Sequence, residues 1–133
     1  MICVKKFLLT YWFKIMNQIN INNLQIEVYQ KEDNLPDTCT TFITQTKPIA
    51  KSVLESVFGE PTKDKLSKDK KVHYTWLIRV NEKLFELHDW KSGKCDDDEP
   101  VTWSVRSEDA SKTLQDEFIK TLNIFSIYKY YFN

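Results

Sequence analysis

The chain has 133 residues, 41% of them hydrophobic and 14% aromatic, which suits one globular core and excludes a disordered chain. Its 19 basic and 19 acidic residues cancel, so no basic excess marks it as a general binder of nucleic acid or of an anionic membrane. Cys3, Cys39 and Cys95 are odd in number and lack C-x-x-C spacing, which points to free thiols in a reducing compartment.

The first sixteen residues carry Lys5 and Lys6 and then an apolar run at 7–13, broken only by Thr10. The run has no small-residue cleavage site and stops at Lys14, short of the roughly 20 apolar residues of a membrane span. We expect a poorly ordered or helical leader over 1–20, with Met16 as an alternative start of translation. One α+β domain should occupy 21–126 and a tail 127–133.

Residues 24–30 alternate apolar and polar and predict a strand. Asn34, Leu35, Pro36 and Asp37 then break the chain. Residues 40–44, rich in Thr with Phe42 and Ile43, predict a second strand. Thr46 is placed to cap a helix whose first turn holds Pro48. Ile49, Val53, Leu54, Val57 and Phe58 follow at helical spacing, and Gly59 and Pro61 end it. Residues 62–71 hold five lysines and two aspartates. They read as a solvated loop, with a small anion-binding patch as the alternative.

The most informative stretch runs from Lys71 to Trp103. Val72, Tyr74, Trp76, Ile78 and Val80 alternate with His73, Thr75, Leu77 and Arg79, and Phe85 and Leu87 continue the pattern on a second strand. A one-residue slip in pairing would turn a whole strand inside out, so a shared apolar face demands an even loop. That pairs Ile78 with Phe85, Trp76 with Leu87, Thr75 with His88 and His73 with Trp90. Asn81 tolerates positive φ, while Glu82 is a poor second residue for a two-residue turn, which favours a four-residue loop in the same register. His73, Thr75, Arg79, Glu86, His88 and Trp90 then share the outer face.

Residues 91–99 form a loop with the acidic run Asp96, Asp97, Asp98 and Glu99, which lacks the alternating ligands and central glycine of a calcium loop. Residues 100–105 predict the third strand of this stretch, with Trp103 inward. Ser107 is placed to cap a last helix, with Glu108 and Asp109 at its positive end. Ala110, Leu114, Phe118, Ile119, Leu122 and Phe125 supply its apolar side. The fold class expected is α+β, a mostly antiparallel sheet of four to five strands with two helices packed on one face.

Any chemistry belongs to the outer face. His73, Glu86 and His88 are the candidate acid–base groups or ligands of an enzyme, although no H-x-H or H-E-x-x-H spacing supports a metal. Cys95 with His88 is a poor thiol pair, because the acidic loop disfavours a thiolate. No cofactor motif is present. Trp90, Arg79 and His73 are the candidate binding residues, since an exposed aromatic beside arginine is what protein interfaces use. The leading expectation is a non-enzymatic interaction module with a protein partner. The alternatives are a small enzyme and a structural virion component.

The order Phe58-Gly59-Glu60-Pro61, Tyr74-Thr75-Trp76-Leu77-Ile78, Leu87-His88-Asp89-Trp90-Lys91 and Thr102-Trp103-Ser104-Val105 resembles a family of small uncharacterised proteins of phages and large DNA viruses. The resemblance covers residues 47–122. His88 stands for the family's Tyr, Asn81-Glu82 for a D-G turn, and Arg106-Ser107 for a glycine pair. It implies a fold and a viral source, hence host cytoplasm or a virion, and no particular activity.

Overall fold

The computed structural model describes residues 16–90 and 99–127. Residues 1–15 of the expected leader, Cys3, Cys95, the acidic run up to Asp98 and the tail from residue 128 lie outside them. The element order is β1 (Met16–Ile21), β2 (Leu24–Tyr29), β3 (Thr41–Gln45), β4 (Ile49–Ala50), α1 (Lys51–Phe58), β5 (Lys63–Asp64), β6 (Tyr74–Val80) and β7 (Lys83–His88). Then come β8 (Pro100–Val101), β9 (Ser104–Ser107), α2 (Lys112–Ile124) and a 3₁₀ turn (Phe125–Ile127).

The class is α+β, but the main sheet has seven strands among the described residues, not four to five. Its order is β1-β2-β6-β7-β9-β3, with β5 also on β6, and β4 and β8 make a separate two-stranded pair. Every pairing is antiparallel. Two of the extra strands come from segments expected to be irregular. β1 takes in the last five residues of the expected leader and pairs with β2 along its whole length. β5 lies in the lysine-rich loop and pairs Lys63 with Thr75 and Asp64 with Tyr74.

The β6–β7 register is the one that alternation demands: Thr75 opposes His88, Trp76 opposes Leu87 and Ile78 opposes Phe85. The loop is two residues long, not four. Asn81 and Glu82 both take positive φ, 46° and 73°, as a hairpin turn with right-handed strand twist requires. Asn81 compensates for the poor partner. Its N–H donates to the Gln25 carbonyl and its Oδ1 accepts from the Gln25 N–H, both at 2.8 Å. The turn is thereby clamped to β2.

β7 leaves no room for another strand on one edge of β6, so β2 and β5 share the other edge. Their junction is made by Thr62, which is buried. Its hydroxyl accepts from the Leu77 N–H at 3.0 Å and donates to the Tyr29 carbonyl at 2.7 Å. One side chain thus bridges the point where the β2–β6 ladder ends and satisfies both backbone groups.

One buried cluster joins Leu24, Ile26 and Val28 of β2, Trp76, Ile78 and Val80 of β6, and Phe85 and Leu87 of β7 to Val53, Leu54 and Phe58 of α1 and Phe118 and Leu122 of α2. Trp76 and Trp103 meet edge to face at 5.4 Å. Neither indole N–H is wasted: Trp76 donates to the Gly59 carbonyl at 3.0 Å and Trp103 to the Ile49 carbonyl at 2.8 Å. Gly59, at φ 83°, closes α1 and donates its own N–H to the Glu55 carbonyl.

Three predicted boundaries move. Residues 100–105 are not one strand, because Thr102 and Trp103 separate β8 from β9. Thr46 does not cap α1, whose N-cap is Ala50. Its N–H donates to the Trp103 carbonyl and its hydroxyl accepts from the Trp103 N–H, at 2.9 and 3.1 Å. Ser107 ends β9, and Ser111 caps α2 by accepting from the Leu114 N–H at 3.1 Å.

Candidate functional site

The outer face of the hairpin is less polar and less open than the alternation suggests. Tyr29, Leu77 and Leu84 form a second buried cluster there. The connection at residues 30–40 must cross from β2 past β6, β7 and β9 to reach β3. Its last residue, Thr40, lands on the outer face. The Thr40 hydroxyl donates to the Glu86 carboxylate, while Arg106 donates to Thr40 Oγ1 at 3.1 Å and to the Thr40 carbonyl at 2.6 Å. Arg106 Nε also lies 3.8 Å from Glu86. Glu86 is therefore spent on holding this crossover against the sheet.

His73 is not on that face. In a regular strand successive N–H groups point to opposite sides. Here the N–H groups of His73 and Tyr74 both point at one oxygen, Asp89 Oδ1, at 2.9 and 2.8 Å. The chain curls around the carboxylate, the ladder stops at Thr75–His88, and the expected pairing of His73 with Trp90 does not form. The His73 ring instead stacks flat on the Tyr74 ring, 4.1 Å between centroids and 6° between planes. Its Nε2 lies 3.2 Å from Asp64 Oδ1 of β5, which assigns the proton to Nε2 in the neutral ring.

His88 stays on the outer face, half-buried, with Nδ1 2.8 Å from the Asp89 carbonyl. Its ring centroid is 6.4 Å from that of Trp90. Trp90 is 43% exposed, in contrast to Trp76 and Trp103, which are fully buried. The Lys71 ammonium lies 5.3 Å from the Trp90 ring centre, within reach of a cation–π contact. Arg79 is elsewhere. It lies eleven residues before Trp90 at the turn end of β6, where it donates to the Tyr29 hydroxyl at 3.0 Å and pairs with Glu108 at 3.6 Å. Six residues of strand from His73 is roughly 20 Å.

The predicted residues thus divide. His88 and Trp90 come together, with Lys71 in addition. His73 is nearby but turned toward β5, and Glu86 and Arg79 serve the scaffold. Asp89 is the residue that sequence reasoning missed. It is buried, with 1% exposure, and its carboxylate holds the backbone of His73 and Tyr74 against the end of β7, just before Trp90. Its signal in the sequence is a lone carboxylate that continues the inward-facing series of Phe85 and Leu87, where the alternation calls for an apolar residue.

The lysine-rich segment beside Trp90 is not a floppy loop. Ser67 organises a turn at residues 67–72: its N–H donates to the Val72 carbonyl at 2.7 Å, and its hydroxyl oxygen accepts from Val72 N–H at 3.1 Å. Lys70 takes φ 60° and donates its N–H to the Ser67 carbonyl. Hydrogen bonds from the Ser67 hydroxyl and the Lys71 N–H hold the Asp69 carboxyl below its ordinary range.

Among the described residues no three His, Cys, Asp or Glu side chains form a group able to hold a metal ion, and no helix is long and apolar enough to cross a membrane. Cys39 is exposed and unbridged. No family profile, curated protein or solved structure matches this chain.

Proposed function

We propose that the protein is a non-enzymatic interaction module that presents Trp90, with His88 and Lys71 beside it, to a protein partner. The observation that carries this reading is the exposed Trp90 on a backbone pinned by a buried carboxylate. Ordering a large aromatic in advance lowers the entropy cost of binding, and tryptophan is enriched among the residues that dominate interface energy. The resemblance to phage and large-DNA-virus proteins sets the proposed context as infected-cell cytoplasm or a virion.

The enzyme reading has less support. His73, Glu86 and His88 point to three different partners, Asp64, Thr40 with Arg106, and the Asp89 carbonyl. Acid–base catalysis needs its groups converging on one reacting position. The test is affinity capture from the native source with wild type, Trp90→Ala and His88→Ala, followed by mass spectrometry. Our reading expects a specific protein retained by wild type and lost with Trp90→Ala. Retention of the same protein by Trp90→Ala contradicts it.

A further inference from the structure

We propose that the 67–72 turn and Trp90 form a single docking site for an acidic segment of a protein partner. This inference rests on the interaction reading above and names the chemistry of the partner. Charge complementarity carries it. Residues 62–71 hold five lysines against two aspartates in a chain whose net charge is zero, so the excess is local. Both aspartates are already engaged. Asp64 faces His73 at 3.2 Å and Lys31 at 3.9 Å, and Asp69 accepts from the Ser67 hydroxyl at 2.5 Å and the Lys71 N–H at 3.2 Å.

The lysines are displayed, and the backbone that displays them is ordered. Lys63, Lys65, Lys68 and Lys70 are exposed. The Lys65 N–H donates to the His73 carbonyl at 3.0 Å, which ties the segment to the start of β6. Ser67 closes the turn, and Lys71 reaches over the Trp90 ring. A ligand with carboxylates and an apolar or aromatic side chain would meet ammonium groups and an indole face side by side.

A peptide fits better than a nucleic acid. Single-strand binders line up several stacking aromatics along a basic groove. Among the described residues one exposed indole stands beside one basic turn, and the neutral chain supplies no long-range field to draw a polyanion.

The test is fluorescence anisotropy on the full chain with a labelled peptide of about ten alternating Glu and Tyr residues. A Lys–Tyr peptide and an oligothymidylate of the same length serve as controls. We expect saturable binding of the Glu–Tyr peptide at about 50 mM salt that weakens about tenfold by about 300 mM, because exposed charges are screened. The double variant K68E/K71E should weaken binding about tenfold, and Trp90→Ala by a similar factor. Thermal melts of both variants report whether the fold is intact. Overturning results are no saturable binding at low salt, equal binding of the Lys–Tyr peptide, tighter binding of the oligothymidylate, or indifference to K68E/K71E in a folded protein. A captured partner lost with Trp90→Ala but kept by K68E/K71E would sink the acidic-partner inference and leave the interaction reading standing.

Discussion

The two ends of the β6–β7 hairpin behave differently. At the turn end the strands stay paired to the last residue, Val80 opposite Lys83, and Asn81 and Arg79 tie the turn to β2 and to Glu108. Polar side chains there are consumed by the scaffold. At the open end pairing stops at His88, the backbone wraps the Asp89 carboxylate, and Trp90 emerges into solvent. One end closes a sheet and the other displays a side chain. An apolar surface that the fold does not need is the better place to look for function.

That contrast can be broken by substitution. The core between the two ends sets the scale. Trp76→Ala removes a fully buried indole and its hydrogen bond to Gly59, and should cost about 3–5 kcal/mol in urea unfolding. Asp89→Ala should come next, at about 2–4 kcal/mol, because two backbone N–H groups lose their acceptor. Asp89→Asn keeps an oxygen at that position and should recover part of the loss. If Asp89→Ala melts like wild type, the carboxylate does not organise the open end.

At the turn the effects are smaller. Asn81→Ala removes the acceptor for the Gln25 N–H and a residue suited to positive φ, and should cost about 1–2 kcal/mol. Glu82→Gly relieves a positive φ at some cost in unfolded-chain entropy, for a net gain of about 0.5 kcal/mol. Trp90→Ala should change stability least, within about 0.5 kcal/mol, as befits an exposed side chain outside the core.

Much of the hairpin was legible because its signal is local and repeated. Alternation over 74–80 and 83–88 leaves one register that buries Trp76, Ile78, Phe85 and Leu87 together. The errors share a cause, which is a partner far away in sequence. Thr46 looks like a helix cap until Trp103 takes both its N–H and its hydroxyl. Ile49 and Ala50 look helical until they pair with Val101 and Pro100. Ser107 looks like a cap until its pairing with Phe85 and Thr41 places it in the sheet. His73 leaves the outer face because of Asp89, sixteen residues on. Of the candidate residues, the place of His88 opposite Thr75 was readable from register, whereas Trp90 lies beyond the last pair and its expected pairing with His73 does not form. The loss of Glu86 to the crossover was not, because Thr40 and Arg106 reach it only through the sheet order.

The most direct test concerns what Trp90 is for. Partner affinity of wild type and Trp90→Ala should be measured by calorimetry with the captured protein, alongside the melting temperature of each. We predict a dissociation constant at least about tenfold weaker for Trp90→Ala, with melting unchanged. Equal affinity in the two proteins, or a variant that binds poorly only because it has unfolded, would contradict the account.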